Sequence, residues 1–166
     1  MSTPEFVLAL REKIGHAPLW LSGVTGVVVR DADASDPEIL LVRRADNGAW
    51  TPVTGIIDPG EHPADAMVRE VAEETGIEAT PVRLARVGVT RPGVYPNGDQ
   101  VQFIDLTFRL AWRSGEPHPA DGENTDARWC PVSELPALDD DMQARVDAAL
   151  ADDERTAFFT GGELVR

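Results

Sequence analysis

Two rhythms of apolar residues run along this chain, one with the period of a helix and one with the alternation of a strand. Residues 4–15, PEFVLALREKIG, carry Phe6, Val7, Leu10 and Ile14 at helical spacing and stop at Gly15, which predicts a short amphipathic helix. The β-branched runs at 20–30 (WLSGVTGVVVR) and 38–44 (EILLVRR) read as strands, and the turn formers DADASDP between them predict an antiparallel hairpin. Pro63 suits a helical first turn and Gly76 a helical stop, so 63–75 reads as a helix. Residues 78–90 form a strand region interrupted by Pro81. Asn97-Gly98 marks a hairpin, and 101–112 is the clearest strand, with Val101, Phe103, Leu106, Phe108, Leu110 and Trp112 alternating around a break at Ile104. A short closing strand follows at 127–132. The C-terminal segment, about 139–160, reads as helical: a first helix at 139–150 turns Met142, Val146, Ala149 and Leu150 inward, and a shorter one is expected around Thr156–Phe159. Strands flanking a central helix, with no repeat and no linker, predict a single mixed α/β domain over 1–166.

The stretch that organises the rest is GIIDPGEHPADAMVREVAEETGI, residues 55–77. It places Gly55, then five residues to Glu61, then seven to Arg69-Glu70-Val71, one to Glu73-Glu74, and one to Gly76-Ile77. On a helix, Glu70, Glu73 and Glu74 fall at i, i+3 and i+4 and share one face; Ala64, Val68, Val71 and Thr75 fall on another, which is expected to bury. Three stacked carboxylates repel one another, and an oxygen cluster of this kind suits a hard divalent cation. A solvated acidic stripe is the alternative. Arg69 relieves the repulsion in either case by pairing with Glu73 or Glu61.

At every fixed position this stretch resembles the signature of the Nudix hydrolases, G-x5-E-x7-R-E-U-x-E-E-x-G-U with U a bulky aliphatic residue. The resemblance implies an α/β fold, an α/β/α sandwich with a mixed β-sheet and the motif helix beside it, over residues 20–150. It implies a hydrolase that cleaves the diphosphate of a nucleoside diphosphate linked to another moiety, with magnesium, or manganese in its place, as cofactor. Glu70, Glu73 and Glu74 become metal ligands, Glu70 and Glu74 catalytic as well, with the Thr54 carbonyl as a further oxygen. Glu61 becomes an outer ligand or the partner of Arg69, Arg69 a structural ion pair, and Gly55 and Gly76 backbone turns. The family usually reads Pro-Gly-Gly on entering the motif, whereas this chain has Val53-Thr54-Gly55, which alters the entry loop. The family's general base often lies in a later loop before a tryptophan. Glu123, six residues before Trp129, is the candidate here, with Asp121 and Asp126 behind it and His16, His62 and His118 behind those.

The implied substrate is a small nucleotide, ADP-ribose or another nucleotide sugar, or a (d)NTP. Pro92 and Tyr95 lie fifteen and eighteen residues past the motif, where two branches of the family carry different marks, so neither decides the substrate. Arg43, Arg44 and Arg91 are the candidate phosphate contacts. Trp20, Tyr95, Phe103 and Trp129 are candidate base-stacking groups, each competing with a place in the core. A catalytically silent nucleotide-sensing module is the second reading. An isoprenyl-diphosphate isomerase, which needs a reactive cysteine in its pocket, is the third, with Cys130 as its sole candidate.

A net charge of −14 argues against sequence-independent binding to nucleic acid and requires a local reversal of sign wherever an anionic nucleotide docks. One cysteine permits no disulfide within the chain, the N-terminal segment does not read as a signal peptide, and no run is long enough to span a membrane. A cytoplasmic protein is the expectation. Its N-terminal helix packs either on the domain or on a second copy in a homodimer.

Overall fold

A computed structural model describes residues 3–165. In chain order it contains α1 (Glu5–Ile14), β1 (Leu19–Arg30), β2 (Glu38–Arg44), β3 (Trp50–Thr51), β4 (Val53–Ile56), α2 (Pro63–Thr75), β5 (Glu78–Val89), β6 (Gly93–Val94), β7 (Gln100–Ser114), β8 (Asn124–Pro131), α3 (Asp140–Leu150), β9 (Phe158–Thr160) and β10 (Glu163–Val165). The main sheet runs β3-β2-β1-β7-β5, with β4 paired to β1, β6 to β7 and β8 to β2.

The sheet is mixed because β1 and β7 are parallel, from Leu19 opposite Val101 to Val29 opposite Ala111, while the other pairs are antiparallel. β1 is apolar on both faces. Val24 and Val28 meet Ala66, Met67 and Val71 of α2, and Val27 and Val29 meet Val146 and Ala149 of α3. A strand sandwiched between two helices loses the polar half of its alternation, which is why 27–29 reads as an unbroken valine run. Gly26 permits the close approach of α2: a Cβ there would lie 2.8 Å from both Cε and Sδ of Met67. The result is an α/β/α sandwich with the motif helix on one face, as the sequence implies.

Four details differ from the expectations. The 20–44 hairpin is antiparallel but short, with pairing only at Val29–Ile39 and Arg30–Glu38; β2 finds its long partner in β8. The buried residues of α2 are Ala66, Met67, Glu70, Val71, Glu74 and Thr75, so the helix is rotated to bring two carboxylates into its packed side while Ala64 and Val68 stay half-buried. On α1 only Val7 is buried; Leu10 and Ile14 face outward, because the helix is anchored along the Val7–Arg11 line. The tail beyond Asp152 is not helical. The backbone of Ala157 bonds to Ala85 and Val87 at the edge of β5, and Gly161-Gly162, both at positive φ, turn Phe158–Val165 into a hairpin.

A polar group ties the second helix layer to the sheet. Asp105 accepts bonds from the Thr25 hydroxyl (2.7 Å), the Thr107 hydroxyl (2.8 Å) and Arg145 of α3 (3.0 Å), and Arg145 also reaches Asp141. Asp105 and Arg145 are both buried. Asp105→Ala strands a buried guanidinium, and urea denaturation is expected to show a loss of about 3–5 kcal/mol, whereas Asp141→Ala, at a half-exposed position, costs much less.

Candidate active site

The motif loop and helix are held together by one arginine. Arg69 donates to Glu61 through Nε (2.8 Å) and Nη2 (2.9 Å), to Glu70 at 3.0 Å, to Glu73 at 3.2 Å and to the Ile56 carbonyl at 3.3 Å. The forked contact with Glu61 holds that carboxyl below its ordinary range and raises the pKa of Arg69 itself. Arg69 is therefore a structural ion pair with Glu61, and it also engages two of the three helix carboxylates. Gly55 makes room for this arrangement. A Cβ on Gly55 would lie 2.2 Å from Cγ of Glu70, so the glycine backbone is the surface on which Glu70 rests.

Burial separates the three helix carboxylates. Glu70 and Glu74 are 6% and 5% exposed, whereas Glu73 faces solvent. Removal from water raises the Glu70 carboxyl, and Arg69 partly offsets this. Burial pushes Glu74 up to about 7 against a partial correction from Asn124, whose Nδ2 donates to Glu74 Oε2 at 2.8 Å. The loop before β8 is brought to this spot by two backbone bonds, His118 N–H to the Thr75 carbonyl and Ala120 N–H to that of Glu74.

Glu74 and Thr54 border an open cleft of about 740 Å³, together with Gly55, Glu123, Asn124, Arg44 and Tyr95. Glu70 and Glu73 do not line it. Among the described residues no three carboxylates, thiolates or imidazoles are arranged to hold an ion as they stand. The donors nonetheless suit a hard cation: Glu74 is a buried carboxylate held at one oxygen by Asn124, and Glu70 lies one turn away.

The remaining candidates divide. Glu123 lines the cleft, and its carbonyl accepts the Ala45 N–H, which ties its loop to the end of β2. Arg44 lines the cleft with its guanidinium committed to Asp46 (2.7 and 2.9 Å). Tyr95 is 45% exposed at the cleft edge, and Phe103 lies beside it. Arg43 instead bonds the Gly48 carbonyl, and Arg91 is an exposed loop residue; neither reaches the cleft. Trp20 is exposed away from it, and Trp129 packs in the α2-side core under Arg30. Cys130 is 4% exposed within the α3-side core and its thiol is raised by burial, so the pocket cysteine of an isomerase is missing from this cleft. Sequence reasoning missed Asn124, although it adjoins Glu123, because an uncharged amide carries no metal or base signal of its own.

The NUDIX domain family model matches residues 21–151, and the chain belongs to this family. It is a pyrophosphohydrolase acting on nucleoside diphosphates linked to a further group. Over 118 residues the chain is 36% identical to the MutT-like protein of Streptomyces ambofaciens, covering 71% of this chain and 68% of that one. Over 114 residues it is 34% identical to the NAD-capped RNA hydrolase NudC of Photobacterium profundum, covering 68% of this chain but only 38% of that protein, so it spans little more than a third of the relative's length. The crystal structure of a UDP-X diphosphatase shares the fold with a TM-score of 0.65 at 21% identity, over 93% of this chain and 73% of that one. That of an ADP-ribose pyrophosphatase from Streptococcus suis does so with a TM-score of 0.63 at 19% identity, over 84% and 98%. Among the described residues no helix is long and apolar enough to cross a membrane.

Burial of Glu74 predicts an inverted pH dependence of stability in chelator-treated protein. Its carboxyl titrates near 7 in the folded chain and near 4.5 when unfolded, so the folded form binds the proton more tightly. The stabilisation is fully present below pH 4.5 and is lost as pH rises to about 7, on the order of 3 kcal/mol. Thermal melts of Glu74→Gln should lack this decline and exceed the parent in stability at pH 8. Added magnesium should stabilise the parent more than the variant.

Proposed function

We propose that this chain uses divalent ions, magnesium or manganese in its place, to hydrolyse the diphosphate linkage of a nucleotide such as ADP-ribose, another nucleotide sugar or a (d)NTP. The observation that carries this reading is Glu74, a buried carboxylate held at one oxygen by Asn124, standing at the edge of a cleft large enough for a nucleoside diphosphate and its second group. Glu74 and Glu70 are the principal ligands, with Glu73 and the Thr54 carbonyl completing the set. A metal bound there would supply charge neutralisation at the phosphate oxygens and acidify the attacking water.

The residues of the chain do the rest. Asn124 fixes one oxygen of Glu74 and leaves the other to the cleft. Glu123, on the loop tied to β2, takes the proton from water as its oxygen bonds to phosphorus. The bridging P–O bond breaks, and the leaving phosphate departs with its electron pair. Arg69 acts only through the carboxylates it holds. Tyr95 gives a planar surface to a base, and Arg44 offers positive charge across its pair with Asp46. The relatives named as NAD-capped RNA hydrolases make NAD and NAD-capped RNA worth testing beside free nucleotides.

A panel of ADP-ribose, UDP-sugars, NAD, NAD-capped RNA, dinucleoside polyphosphates and canonical and oxidised dNTPs, each with magnesium, tests the reading. At least one should be turned over, with loss of activity in EDTA. Glu74→Gln should lower kcat by about a hundredfold or more, the size of several kcal/mol of lost charge stabilisation. Equal turnover by the variant, or by the parent in EDTA, would overturn the assignment. Glu123→Gln should lower kcat while leaving manganese binding, read by its electron paramagnetic resonance, within about twofold, since a base of this kind contributes to proton transfer rather than to ion affinity.

A further inference from the structure

Helix α1 lies outside residues 21–151, the part of the chain that the family model matches, yet Val7 and Arg11 line the cleft. Val7 is buried with Leu21, Ile56 and Val101 in a small core of its own at that end of the molecule. One turn later Arg11 crosses to the start of β7. Its Nη1 donates to the carbonyls of Gly15 (3.0 Å) and Ala17 (2.6 Å), its Nη2 to that of Gln100 (2.8 Å), and its Nε lies 3.5 Å from Asp99. His16, just past the helix, bonds Asp99 at 2.7 Å. Asp99 in turn closes the loop that carries Tyr95: its carbonyl accepts the Tyr95 N–H, and Asn97 bonds both its N–H and its carboxylate.

We propose that α1 is the specificity wall of this cleft and that Arg11, as a positioning residue, latches the 95–99 loop so that Tyr95 and Phe103 admit a flat heteroaromatic ring. The proposal rests on the hydrolase reading for its substrate and on the latch geometry for its cause. Without Arg11, the loop keeps its own turn, the two-residue strand β6 and the contacts of His16 with Asp99 and Gln100. Tyr95 is then held less firmly, while Phe103 stays fixed on β7 opposite Leu21. Ground-state binding of the ring should weaken while the chemistry at Glu74 proceeds, and substrates that differ in that ring should change rank.

The test uses the full chain with Arg11→Gln and, as a shape-preserving second variant, Asp99→Asn. Amide hydrogen exchange over residues 95–100 is expected to quicken about tenfold or more in Arg11→Gln, with α2 and β1 unchanged. For the best substrate of the panel KM should rise about tenfold with kcat within about twofold, and the ratio of kcat/KM between NAD and ADP-ribose should shift by about threefold or more. Arg11→Lys, which keeps the charge but not the fork, should fall between. Unchanged exchange in the loop, or kcat/KM falling equally for both substrates, overturns the latch. Should the parent turn over nothing, the hydrolase reading fails separately. Calorimetry with ADP-ribose and manganese then decides: weaker binding by Arg11→Gln than by the parent sustains the wall, and equal binding or none by either overturns it.

Discussion

A carboxylate withdrawn from water is costly unless positive charge stands beside it, and this structure withdraws two of them one helical turn apart. Arg69 answers for Glu70 from the same helix, and Glu61 of the loop before it fixes the guanidinium in place. For Glu74 the Asn124 amide supplies a hydrogen bond, and burial outweighs what that amide and nearby positive charge return. The rotation of α2 that buries these groups is itself dictated by packing: Met67 and Val71 fill the space over Gly26 and Val24, and Gly55 yields the gap that Glu70 enters. Hydrophobic burial thus holds Glu74 in an environment it does not favour as an anion, and a residual demand for positive charge follows from the fold.

Much of this was legible along the chain because its causes are local. Pro63 and Gly76 bracket α2 through backbone chemistry that operates within one turn, and Gly76 does take the left-handed conformation with its N–H on the Ala72 carbonyl. The valine run of β1 announces burial on two faces, and the alternation of β7 announces its apolar face, while Asp105 and Thr107 lie buried on the other. The motif spacing placed the carboxylates on one helix, because i, i+3 and i+4 are neighbours whatever the tertiary setting.

What stayed hidden was long-range. Asn124 and Glu74 are 50 positions apart, Arg145 and Asp105 are 40, and Arg11 and Gln100 are 89; no local pattern distinguishes such a side chain from an ordinary surface residue. The helical phase of α2 was misjudged because a carboxylate was assumed to turn away from the core, which fails where a glycine and an arginine receive it. The tail was misjudged for a different reason. Thr156–Phe159 is too short for periodicity to separate helix from strand, and the deciding contact, Ala157 on the open edge of β5, belongs to another element.

The charge inventory of the cleft bears on how an anion can enter it. Among the described residues three arginines line it, and each already faces an aspartate: Arg11 beside Asp99, Arg44 with Asp46, and Arg145 with Asp105 and Asp141. On a chain of net charge −14, with Glu74 and Glu123 at the same opening, paired cations leave the local field unfavourable to a diphosphate. The arginines set shape and hold loops; they are not a free anion trap. Under the proposed function, this arrangement favours metal and substrate binding as one linked event. A divalent ion taken by Glu74 would displace the proton that its burial favours, so ion affinity should strengthen as pH rises through 7.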